Sequence, residues 1–142
     1  MIYFDSSYIV RLYLDDPGWE AVRELSARAP VACCIHGYAE VVATIHRKFR
    51  EGVFTRHQYR QVLEQFAVDC SEKGFRWLPL SLGVAARVAA GYETLPQTVF
   101  LRAADALHLA CAAENRFREI YTNDQRLLAA AEHFGLKGIN VI

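Results

Sequence analysis

The sequence has no excess of charge of either sign, no long apolar run and no basic amino-terminal segment. Its 142 residues include 16 Lys and Arg against 16 Asp and Glu, so the formal net charge is zero. A strong overall electrostatic attraction to nucleic acid is therefore not visible in the sequence, and a local basic patch is still possible. No apolar run reaches the roughly 18 residues that a transmembrane helix needs, and the basic region of a signal peptide is missing. We therefore expect a cytoplasmic protein without membrane contact.

Metal-binding cysteine motifs are also missing. The sequence has four cysteines, and no two of them form a C-x-x-C pair. A zinc knuckle or a thioredoxin-like site is therefore not expected. Cys33 and Cys34 are neighbours in a predicted strand, where successive side chains point to opposite faces. We predict that all four cysteines are reduced and act as small buried apolar residues.

Alternating strand and helix patterns predict an α/β protein whose parallel sheet is covered on both faces. No linker, repeat or low-complexity segment divides the chain, so residues 1–142 are predicted to form one domain. Strands are expected over residues 2–5, 31–35, 75–80, 119–122 and 139–142. Helices are expected over residues 6–14, from 19 onward, and over 36–50, 55–73, 82–92, 100–115 and 125–134.

Three α/β enzyme and signalling classes do not fit this pattern. The turn after the first strand reads Asp5-Ser6-Ser7-Tyr8. It has neither the G-x-G-x-x-G of a dinucleotide-binding domain nor the D-x-D of a haloacid-dehalogenase-type phosphatase. Residues 75–82 contain no Asp, and a phosphoaspartate receiver would need its acceptor there.

Four acidic residues lie in or beside apolar sequence, where a carboxylate is locally out of place. Charged residues are rarely fully buried unless they are paired or bind a metal. Several carboxylates that converge on one spot indicate a hard divalent cation and metal-assisted chemistry on phosphates. The four residues are Asp5, Glu40, Asp105 and Asp124.

Each of the four acids also has an ordinary structural explanation. Asp5 and Asp124 end predicted strands, where α/β proteins bind ligands, but each precedes a helix and can serve as its N-cap. Asp105 is predicted in the middle of an alanine-rich helix, where Arg102 can pair with it at i,i+3 spacing. Glu40 belongs to a polar stripe of its helix and can face solvent. His108 and His36 are expected to be structural, because Mg²⁺ prefers oxygen ligands.

The acids occur in four short segments, namely Phe4-Asp5-Ser6-Ser7, Ala39-Glu40-Val41, Ala104-Asp105-Ala106-Leu107-His108-Leu109-Ala110 and Thr122-Asn123-Asp124. In order and spacing these segments resemble PIN-domain ribonucleases, most of all the VapC toxins of bacterial and archaeal toxin–antitoxin pairs. The resemblance covers nearly the whole chain. It implies a Rossmann-like α/β/α sandwich with a central, mostly parallel sheet. It also implies Mg²⁺ or Mn²⁺, cleavage of RNA, a homodimer and a small VapB-like antitoxin that holds the toxin inactive.

The resemblance assigns roles to individual residues. Asp5, Glu40, Asp105 and Asp124 match the family's acidic quartet, and Ser6 and Thr122 match the hydroxyl positions beside it. We expect Asp5, Asp105 and Asp124 to hold the metal ion. Glu40 would orient or deprotonate the attacking water, or bind a second ion. A catalytically inactive PIN-like module that binds RNA or protein is the alternative.

Overall fold

Short parallel strands form the middle layer of the molecule, with helices on both sides. The computed structural model describes residues 1–72 and 74–142. The strands are β1 (Ile2–Tyr3), β2 (Val31–Cys34), β3 (Phe75–Leu78), β4 (Glu119–Tyr121) and β5 (Lys137–Ile139). The helices are α1 (Ser6–Val10), α2 (Trp19–Ser26), α3 (Ile35–Arg50), α4 (Arg56–Ser71), α5 (Leu82–Thr94), α6 (Ala103–Glu114) and α7 (Gln125–Ala130), and a 3₁₀ turn follows over Ala131–Phe134.

The strands are parallel and lie side by side in the order β3-β2-β1-β4-β5, so the chain runs outward from β1 in one direction and then in the other. One set of pairs joins β1 to β2 and β2 to β3, and β4 pairs with β5. A bridge between Phe4 and Tyr121 connects the two sets, so that β1 lies between β2 and β4. The Asp5 amide also donates to the Tyr121 carbonyl at 3.1 Å. The carboxyl ends of β1 and β4 therefore meet at a point where α/β folds commonly bind ligands.

Alternate residues of the central strands pack into two separate cores. Tyr3 and Cys34 belong to a cluster with buried residues of α5 and α6. Phe4 and Cys33 belong to a second cluster with residues of α1, α3 and α4, such as Phe66. Successive strand residues point to opposite faces, so each core fills one side of the sheet. The predicted α/β/α sandwich with a parallel sheet is confirmed.

Helix α6 begins later than its sequence predicts. The expected start was residue 100, but Arg102 has an extended backbone, with φ of −81° and ψ of 155°, and the helix starts at Ala103. The preceding Leu101 is buried, and its carbonyl accepts a hydrogen bond from the Tyr92 hydroxyl at 2.8 Å. These contacts hold the segment outside the helix. Asp105 consequently lies in the first turn of α6, and its predicted mid-helix position is wrong.

Strand β3 ends at Leu78 instead of residue 80, and further boundary differences lie near the chain ends. Helix α1 ends at Val10 instead of residue 14, and the chain continues as hydrogen-bonded turns. Strand β5 covers Lys137–Ile139 rather than residues 139–142. Gly138 lets β5 approach the preceding helix, because a Cβ there would lie 2.9 Å from the Leu128 side chain. The predicted end of the fourth helix at residue 73 lies outside the described residues. None of the described helices is long and apolar enough to span a membrane.

Candidate metal centre

All four predicted acids line one cleft at the carboxyl edge of the sheet. The cleft has a volume of about 580 Å³ and lies where β1 ends before α1 and β4 ends before α7. We call it the acid cleft and define it by Asp5, Glu40, Asp105 and Asp124. Ser6 lines the same space. Four segments that are far apart in sequence thus contribute carboxylates to a single opening.

Asp5 is both an N-cap and a member of the cleft. It follows β1, and its Oδ1 accepts a hydrogen bond from the Tyr8 amide at 3.1 Å, which caps α1. The Ser7 hydroxyl lies 2.7 Å from the same oxygen. Only 4% of Asp5 is exposed. Burial raises the pKa of Asp5, although nearby His108 and the hydrogen bonds oppose the rise.

Thr122 connects two of the acids. It is fully buried at the end of β4. Its hydroxyl donates to Asp5 Oδ2 at 2.5 Å and accepts a hydrogen bond from the Asp124 amide at 2.9 Å. Asp124 in turn caps α7, since its Oδ1 accepts from the amides of Arg126 and Leu127. One hydroxyl therefore fixes both the Asp5 carboxylate and the chain that carries Asp124.

Asp105 has the least satisfied carboxylate of the group. Its Oδ2 is shielded from solvent and accepts no hydrogen bond from any residue that the structure describes. The Arg102 guanidinium lies 3.6 Å from this oxygen at i,i+3 spacing, but the Arg102 side chain is 57% exposed, so solvent weakens this ion pair. Burial and the negative charge of Asp124 raise the pKa of Asp105. A buried acceptor without a donor is costly, and a bound cation would satisfy it.

Glu40 points toward the cleft and the core. Its side chain is 27% exposed, so Glu40 is half-buried and only partly faces solvent. Glu40 Oε2 lies 2.7 Å from His108 Nε2, and Oε1 lies 3.4 Å from His36 Nε2. Burial alone would raise the pKa of Glu40, but the hydrogen bond and charge of His108 outweigh it and lower that pKa.

His108 is buried and contacts Glu40 on one side and Cys34 on the other. Burial favours its neutral form, but its contacts with Cys34 and Glu40 prevail and raise the pKa of His108 to about 10. It was predicted to be merely structural. The available signal was its spacing, because His108 follows Asp105 by three residues and so lies on the same side of α6.

Two further cleft residues were also missed. Ser7 Oγ lies 2.8 Å from Asn123 Oδ1 as well as beside Asp5, and both Ser7 and Asn123 line the cleft. Ser7 is close to Asp5 in sequence, whereas its contact with Asn123 joins segments 116 positions apart and has no local signal.

The oxygen donors of the cleft fit a hard divalent cation. Asp5 Oδ1 accepts two hydrogen bonds and Oδ2 accepts one, which leaves a lone pair at Oδ2 within the described contacts. The described residues donate to only one oxygen of Asp124, which is Oδ1. Asp105 Oδ2 accepts from none of them. Carboxylate oxygens of this kind are the ligands that Mg²⁺ and Mn²⁺ prefer.

The family of the chain follows from its match to a family model. The model of the PIN domain matches residues 2–133. The chain therefore belongs to the PIN-domain family, and the predicted family resemblance is confirmed. A search of curated proteins found no significant match.

Solved structures with the same fold come from bacterial complexes. FitAcB from Neisseria gonorrhoeae is 20% identical, with a TM-score of 0.75 over 99% of this chain and 97% of that chain. VapBC2 from Rickettsia felis, bound to a DNA fragment from the promoter, is 15% identical, with a TM-score of 0.69 over 99% of this chain and 98% of that chain. A toxin–antitoxin complex from Klebsiella pneumoniae is 18% identical, with a TM-score of 0.64 over 98% of this chain and 96% of that chain. At these identities the similarity establishes the fold.

Proposed function

We propose that this PIN domain is a metal-dependent endoribonuclease toxin of the VapC type. The observation that carries the proposal is the convergence of four carboxylates in one cleft, where Asp105 Oδ2 is buried without a hydrogen-bond donor among the described residues. Such an arrangement is unfavourable for the metal-free protein, since burial and the negative charges of Asp124 and Glu40 all raise the pKa of Asp105. A cleft that keeps this arrangement is suited to a cation.

In the proposed mechanism Asp5, Asp105 and Asp124 hold Mg²⁺ or Mn²⁺. The bound ion would supply charge neutralisation at the phosphate and make a water more acidic. Thr122 and Ser7 keep the Asp5 carboxylate in one orientation through their hydrogen bonds. Ser6, which also lines the cleft, would orient a water or a carboxylate beside it.

Glu40 is the proposed general base. Its pKa is lowered, so it is ionised at neutral pH and able to accept a proton from the attacking water. The hydrogen bond from His108 fixes Oε2 of the carboxylate, and His36 Nε2 lies 3.4 Å from Oε1. Glu40 would therefore orient the water in the position from which it attacks the phosphorus.

The rim of the cleft offers positive charge to a phosphate backbone. Arg102 and Arg126 both line the opening, and the Arg126 guanidinium lies 5.1 Å from the centre of the Phe100 ring. Arginine side chains contact phosphates without reading sequence. This local pair compensates for the absence of overall basic charge. The choice of RNA as the substrate rests on the family resemblance.

We further propose a cytoplasmic homodimer that a VapB-like antitoxin neutralises. Of the structures with a similar fold, one is described as a toxin–antitoxin complex. Two others, VapBC2 and FitAB, are described as bound to DNA fragments. Residues 51–54, which connect α3 and α4, expose apolar surface, and Val53 is 57% exposed. We expect this turn and its two helices to contribute to the antitoxin groove. Hydrogen exchange with an antitoxin peptide that protects only other regions would contradict this expectation.

The test of the proposed activity is cleavage of a mixed pool of tRNA and ribosomal RNA by the purified protein. Reactions contain Mg²⁺, Mn²⁺ or EDTA, and the variants are Asp5→Asn and Asp105→Asn. Glu64→Gln on the exposed side of α4 is the matched control. Discrete cuts that require metal and both aspartates support the proposal. A folded wild-type protein that cuts nothing with either metal favours the inactive binding module instead.

A further inference from the structure

A second group of metal-binding side chains lies in the core directly behind Glu40. It consists of Cys33, Cys34 and His108, and we call it the thiol–imidazole cluster. One ligand atom from each residue lies within 4.8 Å of the other two. All three residues are buried. Cys34 Sγ is 3.5 Å and Cys33 Sγ is 3.9 Å from His108 Nδ1. The sulfurs and the imidazole therefore face a common point that the acid cleft does not use.

The chain brings two neighbouring cysteines to one histidine because strand β2 ends there. Cys33 packs in one core and Cys34 in the other, as alternation along a strand requires. Cys34 is also the N-cap of α3, and His108 lies beyond the end of β2, within reach of both sulfurs. Gly37 provides the space, because a Cβ there would lie 2.4 Å from Cys33 Sγ and 3.1 Å from His108 Cε1.

The separations match those of sulfur and nitrogen around one metal ion. With bonds of about 2.3 Å to sulfur and about 2.0 Å to nitrogen, a tetrahedral angle places the two ligand atoms roughly 3.5 Å apart. A trigonal angle places them roughly 3.7 Å apart by the same bond lengths. The two observed distances, 3.5 and 3.9 Å, bracket the trigonal value. Weak thiol hydrogen bonds produce similar distances, and the two explanations differ in whether the cluster binds a metal ion.

The other ring nitrogen of His108 has the environment of a metal-bound histidine. His108 Nε2 lies 2.7 Å from Glu40 Oε2. Histidines that bind metals usually donate this second N–H to a carboxylate, which fixes the tautomer and makes the ligand nitrogen more basic. The arrangement leaves Nδ1 to face the sulfurs. The Tyr3 hydroxyl is 3.3 Å from Nδ1 and is therefore placed to supply a fourth ligand.

We propose that Cys33, Cys34 and His108 bind one thiophilic d¹⁰ cation, Zn²⁺ or Cu⁺, in the core behind the acid cleft. Soft thiolates select such ions, whereas carboxylates select Mg²⁺ and Mn²⁺, so the two sites hold different metals. The cation replaces the thiol protons on binding, and those protons leave to solvent. Because the cluster is buried, the ion enters while the chain folds. Through His108 the bound ion also holds Glu40 in position, a step that rests on the proposed function.

The test is a metal titration in which the reduced, chelator-treated full-length protein is unfolded and then refolded at each metal concentration, so that the ion can reach the buried cluster. One Co²⁺ per chain is expected to produce sulfur-to-cobalt absorption in the near ultraviolet, and Zn²⁺ is expected to remove it. Competition with a coloured Cu⁺ chelator distinguishes Cu⁺ from Zn²⁺ as the preferred ion. Cys33→Ser and Cys34→Ser are expected to lose the absorption. Cys70→Ser is the matched control and keeps it, because Cys70 lies outside the cluster.

Failure of this proposal is distinguishable from failure of the nuclease. The acid cleft offers oxygen ligands, which give no sulfur absorption, so Asp105→Asn is expected to keep the full cobalt signal. If folded wild type shows neither the absorption nor competition for Cu⁺, the cluster is only hydrogen-bonded and the proposal is overturned. A wild-type signal in folded Cys34→Ser also overturns it. If the serine variants do not fold, the titrations of wild type and Cys70→Ser decide the question.

Discussion

His108 Nε2 lies 2.7 Å from Glu40 Oε2, and this hydrogen bond joins a buried residue of α6 to a cleft residue of α3. The imidazole raises the share of ionised Glu40, since its bond and charge lower the pKa of that carboxyl. It also fixes the direction of the carboxylate. The proposed base of the acid cleft is thus held from the core side of the sheet.

Glu40→Gln separates water activation from metal binding. The amide keeps the size of the side chain but cannot accept a proton, so RNA cleavage should fall by about 100-fold or more, within the usual range for a general base. Binding of Mn²⁺ should change by less than a factor of about three, because the proposed ligands are the three aspartates. Cleavage rates and Mn²⁺ titrations of the same preparation test both parts. A parallel loss of Mn²⁺ affinity would mean that Glu40 binds an ion itself.

Thr122→Val removes the hydroxyl that connects Asp5 with the Asp124 amide. The shape is nearly unchanged, so the effect should come from the two lost hydrogen bonds. Loss of a group that orients a metal ligand costs roughly 10- to 100-fold in affinity or activity. Thr122→Ser is the matched control and should retain most of the Mn²⁺ affinity. Equal affinity in the valine variant would show that Asp5 needs no such support.

Asp105→Asn should stabilise the protein in EDTA. Replacing the buried charged carboxylate with a neutral amide is expected to raise the free energy of unfolding by about 1 kcal/mol, which corresponds to about 3 °C in melting temperature. The pKa of Asp105 is raised in the folded state. Its stabilising contribution is therefore present below the unfolded pKa of about 4 and is lost as pH rises through the folded pKa. The advantage of the variant should appear at neutral pH and disappear below about pH 4.

This prediction concerns Asp105 rather than Asp5, although both carboxyls have a raised pKa. Asp5 accepts hydrogen bonds from Ser7, Tyr8 and Thr122, and an asparagine would disturb at least one of them. Thermal melts of wild type, Asp105→Asn and the control Glu64→Gln over pH 3 to 8 test the predicted difference in melting temperature. No stabilisation by Asp105→Asn at neutral pH would argue against a strained metal-free cleft.

His108 makes stability depend on alkaline pH when no metal is bound. Its pKa is raised from an unfolded value near 6.5 to about 10. The stabilisation is fully present below about pH 6.5 and is lost as pH rises toward 10. In EDTA the melting temperature of wild type should fall more steeply between pH 7 and 10 than that of His108→Gln. His57→Gln at an exposed position of α4 should follow the wild type. Equal slopes for all three proteins would contradict a charged His108.

The sequence was sufficient to predict which edge of the sheet carries the acids. Asp5 and Asp124 follow short apolar runs, and the carboxyl ends of parallel strands meet at one edge whatever the detailed packing. Both residues also cap helices, so the structural and functional explanations of these positions are compatible. The start of α6 was misjudged, because the contact between Tyr92 and the Leu101 carbonyl is tertiary and has no local signature.

Contacts between distant segments were beyond prediction from one sequence. Glu40 and His108 are 68 positions apart, and helical spacing alone placed Glu40 on a polar face. The meeting of Cys33, Cys34 and His108 depends on where β2 ends relative to α6, which is a property of packing. Cysteine spacing argued against a metal motif, whereas the structure brings sulfur and nitrogen atoms of a strand and a helix within 4.8 Å of one another.

The most direct measurement of the central claim is binding of Mn²⁺ to the acid cleft, followed by the loss of the free-ion signal in electron paramagnetic resonance. Wild type, Asp105→Asn and Glu64→Gln are titrated under identical conditions with the cysteines reduced. The account predicts saturable binding to wild type and Glu64→Gln, and at least about tenfold weaker binding to Asp105→Asn. Equal binding by all three proteins, or none by folded wild type, would contradict a hard-cation site built from these carboxylates.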